Sequence, residues 1–255
     1  MDFTIDVYKC LLGKLKASNY PFYTFSNYLM NKRNTGIILR HDVDLLPKNS
    51  IAFAQIQIDM GIKGTYYFRA VPESWDENII KEIASLGHEV GYHYETMDTA
   101  NGDIEKAWDE FRYNLENLRK LCDVKTICMH GSPRSKYDNR ELWSKYDYRS
   151  VGLIGEPYFD INFDDFFYLT DTGRRWDGWK TSVRDKVAQQ EKWNKEGLVF
   201  HSTNDIISAA NQGKLPDKIM MTFHPQRWHN SSIPWFKELV LQNAKNMVKR
   251  FIVKN

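Results

Sequence analysis

Residues 38–45 read Ile-Leu-Arg-His-Asp-Val-Asp-Leu, and this stretch decides which fold and which chemistry are expected of the chain. An apolar run over residues 36–39 predicts a β-strand that ends in charged residues. Because side chains alternate along a strand, Asp42 and Asp44 are expected on the same face. Two neighbouring carboxylates repel each other unless a cation compensates them. One interpretation is a metal site in which one Asp binds the ion and the other acts as a base, and the alternative is a solvated acidic loop.

The charges of the chain are almost balanced, with 35 basic and 33 acidic residues and a net charge of +2. This balance argues against nucleic acid as a partner, because phosphate binding requires an excess of basic residues. The three cysteines show no CxxC spacing, which is typical of a reducing compartment. The first residues lack the basic and apolar pattern of a leader, and no stretch is long enough for a membrane span. A soluble, cytoplasmic protein is therefore expected.

Strand-like and helix-like segments alternate along the chain, which is typical of an α/β fold. The patterns predict strands over residues 36–43, 64–71, 88–94, 125–130, 150–155, 166–171, 197–202 and 218–224. They predict helices over residues 47–60, 76–86, 103–121, 139–146 and 233–253. No Gly/Ser linker, repeat or low-complexity segment divides the chain, so residues 1–255 are expected to form a single domain.

Polar and charged side chains recur at the carboxyl ends of these predicted strands. They are Asp42, Asp44, His93, Glu95, His130, Asp171, Asn204, Asp205 and His224. In a β/α barrel the carboxyl ends of the strands meet on one face, where active sites are built. A single histidine at a strand end is usually structural, but several such ends in one chain predict a functional site.

Three motifs occur in an order that a known enzyme family shares. Asp42 and Asp44 form an Asp-x-Asp pair, residues 87–93 read Gly-His-Glu-Val-Gly-Tyr-His, and residues 220–225 read Met-Met-Thr-Phe-His-Pro. Together they resemble the polysaccharide deacetylases, carbohydrate esterases of the NodB-homology type, and in particular a divergent cytoplasmic branch of that family. The resemblance implies an α/β fold with a distorted (β/α) barrel of about seven strands, and a divalent metal as cofactor, with zinc as the expected ion.

The resemblance also implies roles for four residues. Asp42 is expected to be the general base, and Asp44 a metal ligand. His93 takes the place of the first metal-binding histidine of the second motif. His224 is expected to be the general acid that protonates the leaving amine, because amide nitrogen leaves poorly without a proton.

The chain departs from the family pattern at two places. The second histidine of the family falls at Met97, and a thioether is a poor ligand for the metals that hydrolases use. Where the family has Arg-Pro-Pro, residues 129–133 read Met-His-Gly-Ser-Pro. His130 is therefore expected to supply the missing imidazole. Glu95 or Asp98 as the third ligand, and no metal at all, remain the alternatives.

Substrate-binding residues are expected in two further loops. Arg174, Arg175 and Trp176 follow a predicted strand and could bind a carboxylate or a phosphate, or could simply pack Arg on Trp. Trp228 is a candidate for stacking on a sugar ring. Backbone N–H groups of residues 131–134 are expected to stabilise the oxyanion.

The leading hypothesis is a metal-dependent hydrolase that removes an N-acetyl group from an amino sugar. The substrate is expected to be a small-molecule or lipid-linked precursor of a surface polysaccharide. The first alternative is hydrolysis of another C–N amide, which the paired arginines would suit. The second is a catalytically silent carbohydrate-binding protein that lost its metal through Met97.

Overall fold

The fold is built on a parallel β-sheet of seven strands. The computed structural model describes residues 1–132, 135–176 and 187–253, and side chains as far as residue 248. The strands are β1 Phe22–Tyr23, β2 Gly36–Val43, β3 Thr65–Phe68, β4 Glu89–Tyr94, β5 Val124–Met129, β6 Phe167–Thr170 and β7 Lys218–Phe223. Their order is β5-β4-β3-β2-β7-β6, with β1 paired to the beginning of β2. This arrangement confirms the predicted α/β class.

Helices connect the strands, as parallel pairing requires. They are α1 Ile5–Ala17, α2 Phe25–Met30, α3 Asn49–Asp59, α4 Glu77–Ser85, α5 Thr96–Thr99, α6 Ile104–Arg119, α7 Pro157–Asp160, α8 Gln190–Lys195, α9 Thr203–Asn211 and α10 Ser232–Val253. Short 3-10 helices lie at Asn139–Ser144, Tyr148–Val151 and Pro225–Arg227. None of the described helices combines the length and the apolar content that crossing a bilayer would require.

The barrel is distorted because strand pairing does not join its two edges, β5 and β6, within the described residues. At the β5 edge, Gly155 forms a single parallel bridge with Thr126. Next to it, the backbone N–H of Met129 donates to the Glu156 carboxylate (3.0 Å). The segment that leads into α7 thus covers the edge of β5 in place of a further strand.

Two predicted strands are wrong. Residues 150–155 contain the end of a 3-10 helix and one bridge residue, not a strand. Residues 197–202 lead into α9, where Ser202 and Asp205 form a capping box. Asp205 and Asn204 therefore belong to a helix start and not to a strand end. The predicted helix over residues 139–146 is a 3-10 helix. The strands and α-helices without a counterpart among the predictions are β1, α1, α2, α5, α7, α8 and α9.

β2 lies at the centre of the fold and is buried along its whole length. Its alternate side chains point to opposite sides of the sheet, as strand geometry requires. The His41 ring faces the helices, where the Tyr8 hydroxyl and the Gln57 amide contact its Nε2 atom (3.1 and 2.9 Å). Arg40 and Asp42 lie on the other side, inside the incomplete barrel, and pair with each other.

A second buried histidine ties the sheet to α3. His88 Nδ1 accepts a hydrogen bond from the Gly64 N–H, and its Nε2–H donates to the Ala54 carbonyl, both at 3.1 Å. These two bonds fix the neutral tautomer of the ring. Burial lowers the pKa of His88 to about 4, so the ring stays neutral in the folded protein well below pH 6.

We expect acidification to destabilise the protein through His88. The unfolded chain takes up a proton below the ordinary histidine pKa of about 6.5, whereas the folded chain does so only near pH 4, so stability present above pH 6.5 is lost as the pH falls. The loss between pH 7 and pH 4 should be about 3 kcal/mol in the free energy of unfolding. Denaturant titrations at a series of pH values measure it. His88→Gln should remove this contribution and exposed His201→Gln should keep it, while equal pH dependence in both variants would contradict the assignment.

Candidate active site

Three imidazole rings converge on the carboxylate of Asp44. His93 Nε2 lies 3.5 Å and His130 Nε2 lies 3.8 Å from Asp44 Oδ1. His224 Nε2 lies 3.9 Å from Asp44 Oδ2. These residues stand at the carboxyl ends of β2, β4, β5 and β7, so the parallel sheet brings them to one edge. The structure therefore assembles the aspartate and the histidines that the motifs indicated.

The free nitrogens of two of these rings suit metal binding. His93 Nδ1 lies 2.9 Å from the carbonyl oxygen of Cys128, and His130 Nδ1 lies 2.8 Å from Glu95 Oε2. Both partners are acceptors, so each Nδ1 carries the proton and each neutral ring keeps a lone pair on Nε2. A ring held by such an outer partner is the usual form of a metal-ligating histidine.

The residues present fit a divalent ion between Asp44, His93 and His130. Asp44 Oδ1 is buried and has no hydrogen-bond partner among the described residues, although it faces two Nε2 atoms. Metal–ligand bonds of about 2.0–2.2 Å place neighbouring ligand atoms roughly 3.4 Å apart, close to the 3.5 and 3.8 Å that separate Asp44 Oδ1 from the two Nε2 atoms. Burial opposes the charge on Asp44, but the neighbouring His93, His130 and His224 hold its pKa well below the usual range.

Glu95 orients His130 and is poorly placed as a ligand itself. Its Oε1 accepts from Arg69 Nε (3.0 Å), and its Oε2 accepts from Arg69 Nη2 and from the His130 ring (both 2.8 Å). Burial opposes its ionisation, but His130 and Arg69 lower the pKa of Glu95 to about 2. Arg69 also donates to the backbone carbonyl of Asp44 (3.0 Å), which ties this network to the end of β2.

A second set of donors shares His93. The donor atoms of Asp42, His93 and Cys128 all lie within 4.8 Å of one another. Both oxygens of Asp42, however, accept hydrogen bonds from Arg40 (2.8 and 2.6 Å), and the Cys128 thiol would have to lose its proton before binding an ion. Asp44 Oδ1, by contrast, accepts no hydrogen bond from a described residue, and we favour the set of Asp44, His93 and His130.

Asp42 forms a buried ion pair with Arg40, two residues before it on the same strand. The two side chains are almost completely buried, and the guanidinium binds both carboxylate oxygens. Asp42 Oδ2 lies 3.8 Å from His93 Nε2, so this carboxylate borders the candidate metal site. The carboxylates of Asp42 and Asp44 thus have different surroundings, one beside a guanidinium and the other beside imidazoles.

His224 is held by a buried carboxylate. Its Nδ1 lies 2.5 Å from Asp171 Oδ1, and its backbone N–H donates to Asp171 Oδ2 (2.9 Å). Burial and the Arg227 charge act to lower the pKa of His224, but Asp171 and Asp44 outweigh them and hold it above its ordinary value. When it is protonated, His224 presents an Nε2–H beside Asp44.

Two tryptophans that were predicted to contact substrate lie in the core. The Trp228 side chain is almost completely buried, and its Nε1–H donates to Asp171 Oδ2 (2.7 Å). Trp176 is also buried, and its Nε1–H donates to the Thr203 hydroxyl (2.9 Å). The sugar-stacking role does not fit this burial. Trp228 instead helps to fix the carboxylate that holds His224.

Of the two arginines that were predicted to bind substrate, Arg174 is also buried. The Arg174 guanidinium is buried between the rings of Phe3 and Trp235, about 5 Å from each centroid, and donates to the backbone carbonyl of Arg227 (3.2 Å). It is therefore a packing residue, and a role in gripping a substrate carboxylate does not fit it. Arg175 is half-buried, and its predicted role stays a prediction. Of the predicted oxyanion turn, residues 133 and 134 lie outside the described residues.

Sequence reasoning missed two charged residues that organise the site. Arg40 lies two positions before Asp42, so strand alternation alone places both side chains on one face, and this signal could have identified the pair. Arg69 follows directly after β3, at the same edge as the other site residues. Its partner Glu95 was considered only as a possible ligand.

We compared the chain with protein families, with curated protein sequences and with solved structures, and only solved structures are similar to it. Neither a protein-family model nor a curated protein sequence matches the chain. Among solved structures, it is similar to a CE4 family pseudoenzyme from Bacillus anthracis, with 12% identity over 84% of this chain and a TM-score of 0.46. It spans 62% of that chain, and 64% of a mutant form of the same protein.

Two further solved structures show a comparable likeness. One is PdaA of Bacillus subtilis, a family 4 carbohydrate esterase, with 12% identity over 96% of this chain and 90% of that chain and a TM-score of 0.44. The other is the CE4 domain of a multidomain xylanase from the hindgut metagenome of Trinervitermes trinervoides, with 13% identity over 84% of this chain and 85% of that chain and a TM-score of 0.43.

We expect His130→Ala to weaken zinc binding by at least ~10-fold, because a ligand is lost. Glu95→Gln should weaken it less, because the ring remains but loses its orienting carboxylate. Calorimetric titration of the metal-free protein with zinc measures both. Met97→Leu is the matched control and should bind zinc normally. Normal affinity in His130→Ala, combined with a loss in Cys128→Ser, would move the site to the alternative set of donors.

Proposed function

We propose that this protein is a metal-dependent hydrolase that removes the N-acetyl group from an amino sugar. The observation that carries the proposal is the convergence of His93, His130 and His224 on Asp44, with Asp42 directly beside them. A carboxylate base, a candidate metal site and an imidazole acid are the parts that hydrolysis of an unactivated amide needs. They stand together at the carboxyl ends of the strands.

Asp44, His93 and His130 would hold the divalent ion, which we take to be zinc. Such an ion supplies Lewis acidity for the amide carbonyl and for a water molecule beside it. The set leaves room for further ligands, as catalytic sites require. Glu95 and the carbonyl of Cys128 keep the two rings turned with Nε2 toward Asp44.

Asp42 would accept the proton of the attacking water. Arg40 fixes the plane of this carboxylate through two hydrogen bonds, which leaves the remaining lone pairs of its oxygens as the proton acceptors. His224 would donate the proton of its Nε2 to the leaving nitrogen. Asp171 keeps His224 in the required orientation and charge state.

The finer features of the proposal rest on the resemblance of the three motifs to polysaccharide deacetylases. The three motifs support a small-molecule or lipid-linked amino sugar as the substrate. This sugar would be a precursor of a surface polysaccharide, and the reaction would take place in the cytoplasm. The burial of Arg174 removes one of the two arginines on which the alternative, a carboxylate-bearing amide, is based.

The zinc-loaded protein should release acetate from an N-acetylated amino sugar or its nucleotide-linked form. Acetate is measured with a coupled assay on a panel of such compounds. Asp42→Asn should retain zinc but lose activity by roughly 100-fold or more, the scale of a lost general base. No acetate from any compound, with zinc bound, would contradict the function, and loss of zinc in Asp42→Asn would make Asp42 a ligand.

Stability needs a separate control, because Asp42→Asn leaves the Arg40 guanidinium buried without its counter-charge. Breaking a buried ion pair on one side costs about 3–5 kcal/mol. The double variant Arg40→Leu with Asp42→Asn removes both charges and should recover much of this loss while staying inactive. Thermal unfolding of the single and double variants therefore separates a catalytic defect from a folding defect.

We expect His224→Ala to discriminate between leaving groups. An amide nitrogen must be protonated in order to leave, whereas an activated aryl ester releases a stable phenolate. The variant should lose at least ~100-fold in activity on the amide and far less on the acetate ester of a nitrophenol. Steady-state kinetics on both substrates measure the contrast. An equal loss on the two would assign His224 to positioning alone.

A further inference from the structure

α10 turns its apolar side to the solvent. Six large apolar side chains of this helix are each at least half exposed. They are Ile233, Phe236, Val240, Leu241, Met247 and Val248. A group of exposed apolar residues on one side of a helix often marks a surface that binds a partner. We refer to these six residues as the apolar face of α10.

The opposite side of α10 holds the helix to the protein through polar contacts. Asn246 donates to the backbone carbonyl of Gly173 (2.9 Å) and accepts from Gln242 (2.8 Å), and both side chains are buried. The Trp235 Nε1–H donates to the backbone carbonyl of Asp2 (2.7 Å). No described residue of α10 belongs to the hydrophobic core or packs against it. The fold therefore does not use the apolar face.

The apolar face is wide, and its width suits contact with a flat surface better than contact with a second helix. At 3.6 residues per turn, the six residues span an arc of about 140°. A coiled coil needs a narrower seam with apolar residues at positions a and d. If Ile233, Val240 and Met247 occupy position a, the d positions after Phe236 are Asn243 and Arg250, which interrupt the seam. A second copy of this helix is therefore a poor match.

The charge of the helix indicates an anionic surface. Residues 232–255 contain five basic residues and one acidic residue, a net charge of +4. The other 231 residues contain 30 basic and 32 acidic residues, a net charge of −2. Within the described part of the helix, Lys237 and Lys245 are exposed. At 100° per residue Lys237 lies within the arc of the apolar face, and Lys245 lies about 40° beyond its edge. The helix thus combines an exposed apolar face with a net positive charge, and both features favour binding to the interface of an anionic bilayer.

We propose that α10 docks the protein on the surface of an anionic lipid bilayer. The apolar face enters the boundary between headgroups and acyl chains, and the basic residues contact the lipid headgroups. The helix is attached through Asn246 to Gly173, two residues after Asp171. Docking through α10 therefore brings the edge of the sheet that carries His224 close to the lipid surface.

Sedimentation with lipid vesicles tests the proposal. The full-length protein should sediment with vesicles of phosphatidylcholine and phosphatidylglycerol in equal parts, and far less with phosphatidylcholine alone. Added salt should weaken binding, because the charge attraction is screened. Lys237→Gln with Lys245→Gln should reduce the affinity by roughly tenfold or more. Val240→Asp with Met247→Asp should reduce it by at least ~30-fold.

Control variants show whether a loss of binding is specific to the apolar face of α10. Tyr113→Asp places a charge at another exposed apolar position, on α6, and should bind vesicles as the unmodified protein does. Circular dichroism checks that all variants are folded. No sedimentation with the anionic vesicles, equal binding to both vesicle types, or unchanged binding of the Val240→Asp, Met247→Asp variant would overturn the proposal. The proposal would also be overturned if the unmodified protein were a dimer that the Val240→Asp, Met247→Asp substitutions dissociate. Binding to polyglutamate in place of vesicles would overturn it as well.

Discussion

The structure depends on how two neighbouring carboxylates are accommodated at the end of one buried strand. Asp42 is compensated by Arg40 from the same strand, and both side chains are almost fully buried. Asp44, two residues further, faces three imidazoles and keeps one buried oxygen without a hydrogen-bond partner among the described residues. Because Asp42 is compensated by the Arg40 guanidinium and Asp44 is surrounded by imidazoles, the two carboxylates have different environments and can carry two different chemical roles.

The parallel sheet explains why residues far apart in sequence meet at this point. Every strand neighbour of β2 runs in the same direction, so the carboxyl ends lie on one edge. A layer of charged residues behind the rings then sets their orientation. Glu95 with Arg69 does so for His130, and Asp171 does so for His224.

The sequence predicts the central strand β2 correctly, but two of the other predicted strands are wrong. β2 has the predicted bounds, because a fully apolar run that ends in charges has few other interpretations. Residues 150–155 and 197–202 were wrongly predicted as strands, since a short apolar run does not reveal whether a partner strand is available. Trp176 and Trp228 were wrongly placed at a binding surface for a related reason. Their burial follows from contacts that the sequence does not show, such as the packing of Phe3 against both rings and the hydrogen bond from Trp228 to Asp171.

The three candidate ligands lie on three different strand ends, with no two of them on the same helical turn. No local segment of the chain can therefore bind the ion with a useful affinity by itself. The binding energy of a divalent ion held by these residues would then belong to the native state alone, and the ion would link β2, β4 and β5 only when the sheet is complete. With such an ion bound, the melting temperature would rise with the concentration of free metal, so that metal supply would set how much of the protein stays folded at a given temperature.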